Sequence, residues 1–145
     1  MTSEKPVEDG SLKIVVGYLK TPEGAAALEQ AIRETELRGG HLIVVHSMVG
    51  GSHDHDDQYM AARDQLEAVS TRLEAAGVDH EVMHLVRGHS PAEDLLEVAA
   101  DVGAGLIVIG VRRRSAVGKL ILGSNAHDIL LAADCPVLAV KTPHT

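Results

Sequence analysis

Five short apolar runs, interleaved with segments of helical period, constrain this chain more than any other feature of its sequence. They lie at 12–18 (LKIVVGY), 41–47 (HLIVVHS), 81–86 (EVMHLV), 105–111 (GLIVIGV) and 136–141 (PVLAVK). Runs this short, unalternating, rich in β-branched residues and bounded by Gly or Pro read as strands buried on both faces. Between them, Leu28, Ala31, Ile32 and Thr35 share one face of a helix that starts near Pro22, with Thr21 as its N-cap, and stops at Gly39-Gly40. Tyr59, Ala62, Leu66, Val69, Leu73 and Ala76 mark a second helix, ended by Gly77. Ser90-Pro91-Ala92-Glu93 is a capping box with proline at the first helical position; the third helix turns Leu95, Leu96, Ala99 and Val102 inward and ends at Gly103. A fourth runs from about Ser124 to Ala133, with Ile129, Leu130 and Ala133 on its buried side.

Strands joined by helices of this length are parallel and cross over right-handedly. The expected fold is therefore a single α/β domain over residues 11–142 with an open, doubly wound five-stranded parallel sheet. Five units are too few to close an eight-fold barrel. Residues 1–10 read as a short disordered lead-in, polar and without a signal peptide's apolar centre.

Composition narrows the function. Thirteen Lys and Arg against twenty-one Asp and Glu leave a net charge of -8, and with no Trp, no Phe and two Tyr the chain cannot build a base-stacking platform. Nucleic acid is not the expected partner. No apolar run is long enough to span a membrane, and the lone Cys135 suits a reducing compartment, so the expected location is cytoplasmic.

Charge is uneven, however. No acidic residue falls between Val102 and His127, while Arg112, Arg113, Arg114 and Lys119 all do. Ligands of open α/β sheets bind beyond the carboxyl ends of the strands, and this stretch follows the fourth strand. It leaves at Gly110 and enters a helix at Gly123-Ser124, where free amides and a partial positive charge suit a phosphate and Ser124 adds an N-cap hydroxyl. A Walker motif fails, because Arg113 and Leu120 flank Gly118-Lys119 at the required offsets. A dinucleotide Gly-x-Gly-x-x-Gly is broken at Gly17-Tyr18-Leu19-Lys20. Residues 53–57 (HDHDD) read as a solvated loop after the second strand, with no metal site. His46 reads as a hydrogen-bonded core residue, His80, His84 and His89 as structural, and His127 as a surface residue near the phosphate end. Cys135 precedes a proline and reads as packing. No catalytic residue is expected.

Residues 12–141 resemble the universal stress protein family. The resemblance rests on IVVGY, TPEGAAALEQAI, VRGHSPAEDLLEVAADVGAGLIVIGVRRR and GKLILGSNAHDILLAADCPVLAVK, the last being the most specific. It implies a Rossmann-like, adenine nucleotide α hydrolase-like sheet of order 3-2-1-4-5, and a homodimer joined through the last strand, 136–141. It also implies ATP or another adenine nucleotide held by Gly-x2-Gly-x9-Gly-Ser/Thr. On this chain Gly110, Gly123 and Ser124 match that pattern; Arg113 replaces its second glycine and either blocks the phosphate or pairs with it, with Arg112 and Arg114 as the alternative phosphate partners. The aspartate that commonly contacts the nucleoside is here Leu19, followed by Lys20-Thr21 where Gly-Ser is usual. The expected function is that of a dimeric stress-response regulator that binds a nucleotide with little or no turnover, acting on an unidentified protein partner. The alternative is an interaction module that has lost nucleotide binding, as Leu19 and Arg113 suggest.

Overall fold

The computed structural model describes residues 11–49, 55–87, 89–112 and 122–142. The elements follow in strict alternation: β1 (Lys13–Gly17), α1 (Pro22–Arg38), β2 (His41–Val49), α2 (His55–Ala76), β3 (Asp79–Arg87), α3 (Pro91–Val102), β4 (Leu106–Val111), α4 (Ser124–Ala132) and β5 (Val137–Lys141). All neighbouring strands are parallel, in the order β3-β2-β1-β4-β5.

Side chains alternate across each strand, so both sheet faces carry apolar residues and each needs a helical cover. On one face, Ile14, Val16, Leu42, Val44 and Val108 pack against Ala27, Leu28, Ala31 and Ile32 of α1 and Val69 and Leu73 of α2. On the other, Val15, Ile43, Val45, Ile107 and Ile109 meet Ala92, Leu95, Val98 and Ala99 of α3 and Ile129 of α4. Register is locked by this division: Ile14 stands beside Leu42 and Leu106, Val15 beside Ile43 and Ile107. A slip of one residue would exchange the two faces.

Helix ends follow local chemistry. Thr21 accepts from the Gly24 amide, and the Ser90/Glu93 capping box is formed in both directions. Gly39 and Gly103 close α1 and α3 in the left-handed region, at φ 66° and 65°.

Some expectations are corrected. The stretch HDHDD is not loop throughout, because α2 begins at His55; aspartates in a first helical turn are favoured by the helix dipole. His53 and Asp54, residues 1–10, Arg113, Arg114 and Lys119 lie outside the described residues. Strands β2 and β3 run past the apolar stretches, to Val49 and from Asp79, because ladder hydrogen bonds do not need apolar side chains. In α4, Ile129 is buried but Leu130 is 41% exposed, since one turn of this short helix covers the sheet and the next residue rotates away. Val98, missing from the expected inward face of α3, is buried.

Candidate functional site

Strand order reverses between β1 and β4, and their carboxyl ends diverge to open a crevice there. After β1 the Tyr18 amide donates to the Val45 carbonyl at 2.9 Å, and the Thr21 amide donates to the Leu19 carbonyl at 2.8 Å. This turn leads directly into the capped start of α1. Across the crevice stand the first turns of α3 and α4.

The two helix starts are tied together and differ in their hydrogen bonds. The Ala92 amide of α3 donates to Asn125 Oδ1 of α4 at 3.2 Å, the Glu93 amide to Ser90 Oγ, and the Asp94 amide to the Ser90 carbonyl. The first-turn amides of α3 are thus satisfied, one of them by α4. In α4 the N-cap is Gly123, which has no side chain to accept, and the amides of Ser124, Asn125 and Ala126 have no acceptor among the described residues. There is no acidic residue in that turn. Donors left open at a helix start, with its partial positive charge, suit an anion.

Two adjoining recesses occupy the crevice. The inner one, about 110 Å³, is walled mainly by apolar groups, among them Val45, Leu95, Ile109 and Ile129, with Ser47 and Asn125 as polar points. Leu19, 48% exposed, also lines it. The outer one holds Glu23, Gly110, Arg112, Gly123 and Ser124, and shares Gly110, Asn125 and Ala126 with the inner. A flat apolar ring with an attached anion fits this pairing of slot and amide-rich recess.

Gly110, Arg112, Gly123 and Ser124 are therefore brought together as the sequence implies. Arg113 and Arg114 fall outside the described residues. Two roles change. Ser124 is the first helical residue and not the N-cap, because Gly123 itself takes the extended conformation at φ -70°, ψ 169°. Gly110 is required by the fold: a Cβ there would lie 2.2 Å from the Glu23 carbonyl oxygen of α1. At Gly123 a Cβ would meet nothing within 4 Å.

Sequence reasoning missed Glu23, Ser47 and Asn125. Glu23 Oε2 lies 3.7 Å from Arg112 Nη2. It reaches the recess because β1 and β4 are neighbours, a fact of topology that no local motif carries. Asn125 sits within the string that carries the resemblance, and its position one residue into a helix was the available signal.

The histidines stay largely outside the crevice. His46 is half-buried, with Nδ1 3.0 Å from the Tyr18 carbonyl. His84 stacks on Tyr59, ring centres 4.9 Å apart. His80 Nδ1 lies 2.9 Å from the Val78 carbonyl. His127 is exposed beside Asp128. Cys135 is half-buried, and burial first, then the Asp134 carboxylate, push its thiol up, away from reactivity.

Comparison with known proteins agrees with this architecture. The sequence profile of the universal stress protein family matches residues 11–141. A universal stress protein of Mycolicibacterium smegmatis is 40% identical over 131 residues, spanning 90% of this chain and 98% of that protein. The solved structure of a universal stress protein from Archaeoglobus fulgidus superposes with a TM-score of 0.77 at 38% identity, over 90% of this chain and 98% of that one. A second, of the universal stress protein from Archaeoglobus fulgidus in complex with dAMP, gives 0.72 at 33% identity with the same coverage. The match takes in every described strand and helix, and the chain belongs to the universal stress protein family.

Proposed function

We propose that this chain binds an adenine nucleotide, ATP among them, in the crevice between β1 and β4, and acts as a homodimeric regulator in the cytoplasm with no more than slow hydrolysis. The observation that carries the reading is the pairing of an apolar slot with the open amides of α4. The base lies in the slot between Val45 and Ile109, near Ser47. The phosphates lie against Gly123, Ser124 and Asn125, with Arg112 alongside. The dAMP complex of the Archaeoglobus fulgidus relative supports this choice of ligand.

Glu23 pairs with Arg112 at the outer recess. It is the one carboxylate among the described lining residues of the two recesses, and no partner carboxylate or histidine stands with it to form an acid–base pair. These lining residues support a role in binding. The open slot weighs against a module that has lost its nucleotide, since Leu19 leaves the inner recess unfilled.

Denaturing extraction of freshly purified protein, with mass spectrometry of the released molecules, should yield an adenine nucleotide. Added AMP, dAMP, ADP or ATP should raise Tm, by linkage to the native state. An empty extract together with no Tm shift for any of the four would overturn the reading.

A further inference from the structure

On the first turns of α3, behind the wall of the inner recess, three donor atoms approach one another. One each from His89, Asp94 and Glu97, they lie within 4.8 Å of one another. Asp94 and Glu97 are three residues apart on one helix and share a face. His89 arrives from the segment that leads into the same helix, its Nδ1 3.5 Å from Asp94 Oδ1.

The burial of the three is unequal, and that matters. Asp94 is fully buried, and Ser47 Oγ of β2 donates a hydrogen bond to its Oδ2. One carboxylate oxygen is thereby committed to the sheet, and the other is aimed at His89. Fixing of a ligand by a hydrogen bond from behind is what metal sites use to orient their carboxylates. His89 and Glu97 are exposed. Donors around a tetrahedral ion bonded at about 2.0–2.2 Å lie about 3.3–3.6 Å apart. Rotation of the exposed His89 and Glu97 side chains toward the one fixed carboxylate closes that gap.

A second histidine with two acidic neighbours shows the contrast. His41 places Nδ1 2.9 Å from Asp79 and Nε2 3.4 Å from Glu81. Its two ring nitrogens point apart, so the carboxylates sit on opposite sides of the ring and cannot share an ion. At His89 one donor atom of each residue lies within 4.8 Å of the other two.

We propose that His89, Asp94 and Glu97 form a binding site for a divalent first-row transition ion of the Zn²⁺ type. The imidazole nitrogen disfavours Mg²⁺ and Ca²⁺, which take oxygen donors. Two carboxylates balance the ion's charge, and the exposed side leaves a fourth position for water. The proposal rests on this geometry and its test needs no nucleotide, although Ser47, which fixes Asp94, also lines the inner recess.

The test is calorimetric titration of the full chain with Zn²⁺ in the absence of nucleotide, on the natural sequence and on His89→Ala, Glu97→Gln and the double variant His53→Ala/His55→Ala. Retained fold is checked by circular dichroism. One Zn²⁺ per chain is expected, weakened about tenfold or more in the first two variants and unchanged in the double variant. X-ray absorption of the zinc-loaded chain should show a single imidazole among oxygen donors. No heat of binding, binding lost only in the double variant, or a spectrum with two or more imidazoles would each overturn the proposal. The spectrum decides even if a variant fails to fold.

Discussion

A Cβ at position 110 would press on the backbone of α1, whereas one at position 123 would enter open space. Gly110→Ala should therefore destabilise the chain by about 1–3 kcal/mol in urea, as overpacking does. Gly123→Ala should cost about 0.5–1 kcal/mol, the difference between Gly and Ala at a helix N-cap, while reducing the nucleotide-induced Tm shift. A Gly123 variant that still binds with full strength would remove the phosphates from that turn. Leu19 bears on the sugar: with no carboxylate there to accept from ribose hydroxyls, AMP and dAMP should bind alike, within a few-fold by calorimetry. Cys135, its thiol pushed up by burial and by Asp134, should be alkylated by iodoacetamide at pH 8 more slowly than free cysteine.

Each helix start is a small chemical device, and at this scale the chain was most readable. Thr21, Ser90 and Glu93 announce their caps because capping is a contact between residues three apart. The start of α2 was hidden by its polarity, and the N-cap of α4 by the ambiguity of a Gly-Ser pair. Contacts between elements were out of reach: Glu23 beside Arg112, and Asn125 beside Ala92, depend on strand order and not on spacing. Asn125→Ala should cost about 1 kcal/mol, because it strips an acceptor from the Ala92 amide. On the outer face of α1, hydrogen bonds from Arg38 first and Gln30 next hold the Glu34 carboxyl below its usual range. A lowered folded-state pKa means stability present at neutral pH and lost as the pH falls through that value. Glu34→Gln should therefore be slightly less stable at pH 7, by at most about 0.5 kcal/mol, and the difference should disappear as the pH falls through the lowered Glu34 value.

For the molecule as a whole, the fold followed from periodicity, whereas the order of its strands came only with the family resemblance. Strand β5 is a sheet edge whose Val137–Val140 stretch is only half-buried in the single chain. An edge of this kind invites pairing, and sedimentation equilibrium should return twice the chain mass of 15.3 kDa if the last strand joins two copies. A mass of one chain would leave β5 a bare edge. Among the described residues no helix is long and apolar enough to cross a membrane. The link between Asn125 and the Ala92 amide has a consequence for observing this protein. That amide belongs to one helix, yet its acceptor is carried by the helix that greets the ligand. Its hydrogen–deuterium exchange should slow when the crevice fills, so that occupancy sensed at the start of α4 is read out on α3.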